Sequence, residues 1–146
     1  MSEVAIYLNF QGNTEEAFDF YKKVFGTEFS APIIRIKDIP VDPDDPPFSE
    51  KDLNAVMHVA LPIVGGTQLM GTDLLESMGH KLEIGNNITI SLQLDTRAEA
   101  DKYYAALSEN GSENQAMSDQ FWGYWGCCMD QFGVRWMFNV RNEQYQ

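Results

Sequence analysis

Histidine and cysteine are scarce in this chain, with two of each in 146 residues. The cysteines, Cys127 and Cys128, are neighbours. Adjacent Cα atoms lie about 3.8 Å apart, too close for an ordinary disulfide. Along a strand their side chains also point to opposite faces. With no third cysteine a thiolate zinc centre lacks ligands, so two small buried thiols are the expected state. Basic residues are few as well: 10 Lys and Arg stand against 22 Asp and Glu, a formal net charge of −12. A surface this acidic repels phosphate backbones and anionic lipid, so neither a nucleic-acid nor a membrane partner is expected. No apolar run reaches the ~18 residues of a membrane span. The opening Met1-Ser-Glu-Val-Ala-Ile-Tyr7 lacks the basic start of a secretory signal and reads as a strand, which predicts a cytoplasmic protein.

What the chain does contain is a repeat. Glu16, Ala17, Phe20, Tyr21 and Val24 match Glu99, Ala100, Tyr103, Tyr104 and Leu107 at a constant offset of 83. Each set has helical spacing, and Ala17, Phe20, Tyr21 and Val24 are expected to form one apolar stripe. Asn13 or Thr14 is the expected N-cap of the first helix and Gly26 its stop; Thr96 and Gly111 play those parts in the second.

Strand-like segments surround both helices. Val4–Phe10, Glu28–Lys37, Ala55–Val64 and Thr67–Thr72 belong to the first copy. Ile88–Asp95, two strands within Glu113–Met129, and Val134–Val140 belong to the second. Pro40 to Pro47, with four prolines and three aspartates, suits neither ladder nor helix and reads as an exposed loop. The order is strand, helix, three strands, twice over. This predicts an α+β protein of two tandem βαβββ modules, about 1–75 and about 86–146, within one domain spanning 1–146. Paired modules of this kind would enclose a cup-shaped cleft.

Motifs along the chain sharpen the reading. They are Tyr7-Leu-x-Phe10 with Gly12, Glu16-Ala-x-x-Phe-Tyr21, Phe25-Gly26, His58, Leu69-Met70 with Asp73, Ser91-Leu92, Phe121-Trp122-Gly123 and Asp130-x-Phe-Gly-Val-x-Trp-Met137. In this order they resemble the PhnB-like branch of the vicinal oxygen chelate superfamily, the glyoxalase, bleomycin-resistance and dihydroxybiphenyl dioxygenase fold. That branch often carries a 3-demethylubiquinone-9 3-methyltransferase domain name. The chain has no glycine-rich turn after a strand of the sort that holds a methyl-donor cofactor, so the label is not read as an activity.

The resemblance implies where a metal would sit, on inward positions of the first and last strands of each module. Here those are Ile6, Met70, Thr89 and Met137, with Gly66–Met70 aligned on Gly133–Met137 at an offset of 67. None is His, Glu or Asp, the donors a borderline divalent ion requires. No metal and no cofactor are therefore expected. Strand alternation assigns Ile6, Leu8, Phe10, Gln68, Met70 and Thr72 to the cup. The second copy adds Thr89, Ser91, Gln93, Arg135, Met137 and Asn139, while Ile88, Ile90, Leu92, Leu94, Trp136, Phe138 and Val140 turn to the helix.

The expected ligand-binding residues are Gln68, Met70, Thr89, Ser91, Gln93, Trp122, Arg135 and Met137. Arg135 would clamp a carboxylate or phosphate, unless an acidic neighbour pairs it. Trp122 would stack on a planar group. His58 is the candidate acid or base. The leading expectation is metal-free binding of a small molecule. The alternatives are a lyase, isomerase or dioxygenase of the same superfamily, or a protein with an empty cup. The resemblance also implies a homodimer.

Overall fold

A computed structural model describes residues 1–142 of the chain. The chain divides into two compact units, Met1–Glu83 and Ile84–Gln146. The end of the expected second module, 143–146, lies outside the described residues.

In the first unit, strand β1 (Ile6–Phe10) leads into helix α1 (Thr14–Phe25), followed by β2 (Ile34–Arg35), a short helix α2 (Glu50–Leu53), β3 (Val56–Pro62) and β4 (Gln68–Asp73). The strands form one sheet in the order β1-β4-β3-β2. β1 runs parallel to β4, the pairing that a helical crossover and an intervening hairpin produce. The other pairs are antiparallel. The second unit repeats the plan. Its elements are β5 (Ile90–Gln93), α3 (Arg97–Ser108), β6 (Ser112–Gln120), β7 (Gly123–Met129) and β8 (Arg135–Arg141), in sheet order β5-β8-β7-β6. No helix of the described residues is long and apolar enough to cross a membrane.

Each helix covers one face of its own sheet. α1 buries Thr14, Ala17, Phe18, Tyr21, Val24 and Phe25. Phe18 meets Phe10 and Tyr21 edge-on, at centroid distances of 6.4 and 5.6 Å. Phe18 thus replaces Phe20 in the expected stripe; Phe20 is half-buried and lies against Tyr21. The ring of Phe18 rests on Gly71, where a Cβ would come within 2.5 Å of it. In the second unit Ala100 and Leu107 are buried, and Tyr104 sits edge-on to Phe138 at 5.8 Å.

The α1 N-terminus departs from expectation. Asn13 makes no side-chain cap bond. Asp73, at the end of β4, does the work instead. Its Oδ1 accepts from the backbone N–H of Gly12 (3.0 Å) and Thr14 (3.2 Å) and from the Thr14 hydroxyl (2.6 Å). Its Oδ2 accepts from Val56 N–H at 2.9 Å, so one carboxylate ties helix, β3 and β4 together. Thr96 caps α3 as expected, accepting from Glu99 N–H, but that helix ends at Ser108 rather than near Asn110.

Two expected strands shorten. Between residues 28 and 37 only Ile34–Arg35 pairs with β3. Pro32 has no N–H to give a ladder, and Ser30 adds one isolated bond, from its N–H to the Ala60 carbonyl at 2.9 Å. Ile88 precedes β5 and is 77% exposed, so it does not join Ile90, Leu92 and Leu94 against the helix. Residues 41–48 carry no helix or strand, in keeping with their prolines.

The face of β1 also reverses. The expected inward set was Ile6, Leu8 and Phe10. Phe10 is 2% exposed and packs on Phe18, while Tyr7 pairs with Met70 and Asn9 with Thr72 on the other face. The cause is a loop of unequal length. The helices correspond at an offset of 83, but the sheets pair Tyr7 with Met70 and Ser91 with Met137, a strand offset of 84. At that strand offset Phe10 corresponds to Leu94, and the first copy then has Gln11, Gly12 and Asn13 before its helix where the second has Asp95 and Thr96. One extra residue turns every side chain of a strand over.

Candidate functional site

With the helices on one face of each sheet, the other face is left open by them. In the first unit Gln68, Met70 and Thr72 lie on it as expected, opposite Leu69 and Gly71, which are buried toward α1. β4 is the second strand of the sheet, so its Thr72 is flanked by side chains from β1 and β3. Tyr7 reaches across it from β1, and its Oη lies 3.1 Å from His58 Nδ1 on β3. The rings are tilted by 33° with centroids 5.8 Å apart. Thr72 Oγ1 donates to the Met57 carbonyl at 2.8 Å. Gln68 is held at the other end of β4, its Oε1 accepting from the Ser30 hydroxyl at 2.8 Å. Met70 and the exposed Ile34, the β2 partner of His58, supply apolar surface beside these groups. Burial pushes the Tyr7 phenol above its ordinary value, with the Thr72 contact opposing, so it stays protonated at neutral pH.

Tyr7 is the residue that sequence reasoning missed. Its signal was present, as the aromatic in the Tyr7-Leu-x-Phe10 motif, but the helix offset put its neighbour Ile6 on the open face.

In the second unit, Ser91, Gln93, Met137 and Asn139 share the open face, with Trp125 and Cys127 beside them on β7. Gln93 organises the polar groups. Its amide donates to Ser91 Oγ at 2.7 Å, and its Oε1 accepts from Asn139 Nδ2 (3.1 Å) and Arg141 Nε (3.2 Å). Asn139 Oδ1 is buried and unpartnered among the described residues, 3.0 Å from where a Cβ on Gly123 would lie. Arg135 Nε donates to Thr89 Oγ1 at 3.3 Å, and its Nη1 pairs with Glu113. Glu113 reaches it from an irregular stretch of β6, at a φ of 52°. The structure therefore brings Thr89 and Arg135 together, and supplies Arg135 with the acidic neighbour that the sequence had offered as its alternative. Trp122 lies in the turn between β6 and β7, edge-on to Phe121 (4.8 Å) and Trp125 (6.0 Å).

The thiols differ. Cys128 is 3% exposed, on the helix side with Trp136, and burial pushes it up to about 12, with Asp130 and Cys127 adding to the shift. Cys127 is half-buried on the open face. Burial raises it, the Arg135 charge lowers it and Glu113 raises it again.

The donor types test the metal positions. In the first unit the corrected pair is Tyr7 with Met70; in the second, Thr89 or Ser91 with Met137. Thioethers and aliphatic hydroxyls do not suit a borderline divalent cation. Among the described residues no group of three or more His, Cys, Asp or Glu side chains is placed to hold one.

Comparison with known proteins agrees with this architecture. A family model described as 3-demethylubiquinone-9 3-methyltransferase matches residues 2–138. The crystal structure of protein PA1353 from Pseudomonas aeruginosa is 31% identical, with 97% of this chain and 98% of that chain covered and a TM-score of 0.80. Protein YjdN of Escherichia coli is 26% identical over 144 residues, covering 94% of this chain and 95% of its own. The PhnB protein from Bacillus cereus shares the fold at 21% identity and a TM-score of 0.72, with coverage of 95% and 99%. The fold is also shared with a glyoxylase/bleomycin resistance protein/dioxygenase domain from Frankia sp. EAN1pec, at 11% identity and a TM-score of 0.61 with coverage of 97% and 99%. By the family model, this chain belongs to the 3-demethylubiquinone-9 3-methyltransferase family.

Proposed function

We propose that this chain binds a small organic molecule without a metal, on the open face of its sheets. The observation that carries the reading is the contact of a phenol with an imidazole across β4, next to Met70 and Ile34. Fixed polar groups on an apolar floor are the usual make-up of a small-molecule site. Gln68 extends that face in the first unit. Thr89, Ser91, Gln93, Arg135 and Met137, with Trp122 at the turn, offer the second unit's face the same mixture. The family's printed name speaks of methyl transfer, but the chain carries no glycine-rich strand-to-helix turn to hold a methyl-donor cofactor. A homodimer and a cytoplasmic location belong to the same proposal; light scattering that returned a monomeric mass would remove the first.

The test is a titration of the chelator-treated, isotope-labelled protein with small phenols and aromatic carboxylic acids, followed by backbone amide shifts. Saturable shifts at Tyr7, His58 and Met70, or at Ser91, Arg135 and Met137, are expected without added metal. Shifts that appear only after a divalent ion is supplied would sink the metal-free reading. Arg135→Ala is expected to abolish carboxylate binding and to spare phenol binding.

A second reading is favoured by the Tyr7–His58 contact, which puts a candidate acid or base on the open face. On that reading the protein is a lyase, isomerase or dioxygenase. Turnover of a hemithioacetal or a catechol, lost in His58→Gln, would select it over simple binding.

A further inference from the structure

The first unit has a cavity of about 280 Å³ at the end of its sheet. It lies where the parallel strands β1 and β4 end, bounded by the start of α1, by α2 and by the segment that follows β4. None of Tyr7, His58, Gln68 and Met70 lines it, so it is distinct from the open face. Ala55, Val56, Leu74 and Leu75 supply its apolar lining, and charged side chains of both signs join them. Its volume falls at the small end of ligand pockets.

The lining charges divide into those already spent and those still available. Asp73 is spent on the amides at the start of α1. Glu15 accepts from Arg35 Nη2 at 2.9 Å, and Arg35 Nη1 donates to the Asn54 carbonyl at 3.0 Å. These bonds fix the guanidinium while leaving its other N–H groups unengaged among the described residues. The Arg35 side chain is 26% exposed, sheltered yet within reach of a ligand. Asp52 Oδ2 accepts from Ser77 Oγ at 2.6 Å, which leaves its other oxygen. Lys51 and Glu76 are exposed at the rim. Arg35 and Lys51 can therefore hold a carboxylate, and Asp52 and Glu76 an ammonium. A simple anion would be repelled by the carboxylates of the lining, and a simple cation by Arg35 and Lys51. A molecule that carries both charges answers both sets.

The wall is set before a ligand arrives. Leu75 N–H donates to His80 Nδ1 at 3.1 Å, and His80 N–H donates to the Leu75 carbonyl at 3.2 Å. Gln11 Nε2 donates to the His80 carbonyl at 3.1 Å and ties that segment to the start of α1. A prearranged wall lowers the cost of binding.

We propose that this cavity is a second binding site, for a small zwitterion with an aliphatic side chain, the chemistry of a free aliphatic amino acid. Arg35 and Lys51 take its carboxylate, Asp52 and Glu76 its ammonium, and Val56, Leu74 and Leu75 its side chain.

The probe is L-leucine, titrated into the labelled full chain and followed by backbone amide shifts. Saturable shifts at Gly12, Asn54 and Leu75, without matching shifts at Tyr7, His58 and Met70, are the expected result. Isocaproate lacks the ammonium and isoamylamine lacks the carboxylate. Each is expected to bind about tenfold more weakly or worse, as loss of a charged contact does. Lys51 and Glu76 make no hydrogen bond or ion pair among the described residues, so Lys51→Met and Glu76→Gln leave the fold intact, as melting temperatures check. Glu76→Gln is expected to weaken L-leucine about tenfold and to spare isocaproate. Lys51→Met is expected to weaken L-leucine and isocaproate and to spare isoamylamine. No saturable shift at Gly12, Asn54 and Leu75, or isoamylamine binding as tightly as L-leucine, would overturn the site. L-Leucine binding that both variants leave unchanged would overturn it too. Shifts confined to the open face would do the same and leave the reading of that face standing.

Discussion

Single residues matter here through what they allow a neighbour to do. Gly71 has no side chain because the Phe18 ring occupies the space. A Cβ there would lie 2.5 Å from Phe18 Cε1. Gly71→Ala is expected to destabilise the fold by about 1–3 kcal/mol, the usual range for overpacking, and urea denaturation should show a lower midpoint at unchanged slope. Cys128 makes a pH prediction. Its thiol is held neutral in the fold up to about 12, against an ordinary value of 9.0. The unfolded chain therefore loses this proton first. The stabilisation is complete below about pH 9 and is lost as pH rises through about 12. Cys128→Ala is expected to flatten that decline in urea midpoints measured from pH 8 upward. Cys127, half-buried where Cys128 is closed off, is expected to be alkylated first by iodoacetamide, as peptide mapping would report. Tyr7 shows the limit of sequence at this scale. Its aromatic ring was legible, but its face was not, because the face depends on the length of a loop.

At the level of elements, the two helices were legible from spacing and the strands from composition, within a few residues at their ends. The loop-length difference was not legible, since helix offsets carry no information about the connection before them. The capping of α1 was not legible either. Its acceptor is Asp73, some 60 positions away, and the choice between Asn13 and Thr14 could not have found it. Removing that carboxylate strands the N–H groups of Gly12, Thr14 and Val56. Asp73→Ala is expected to cost about 3 kcal/mol, as loss of a charged acceptor does. Hydrogen exchange at those three amides should accelerate more than at Ala100 or Leu107, which belong to the other unit.

The molecule as a whole carries a net charge of −12, and like charges on a compact body repel. Raising ionic strength from about 10 mM to about 150 mM shortens the screening length from ~30 to ~8 Å, so the melting temperature is expected to rise over that range. A fall would mean that ion pairs such as Arg35–Glu15 outweigh the general repulsion. The duplicated βαβββ plan, the apolar identity of both cores and the scarcity of histidine and cysteine were determined by the sequence itself. They follow from local spacing and residue type, which need no knowledge of what lies across the sheet. The tertiary structure alone decided that Tyr7 rather than Ile6 faces outward, that Arg135 is paired with Glu113, and that Tyr7 and His58 meet. Those facts depend on strand register and on contacts between residues tens of positions apart, which a one-residue change in a loop is enough to reassign.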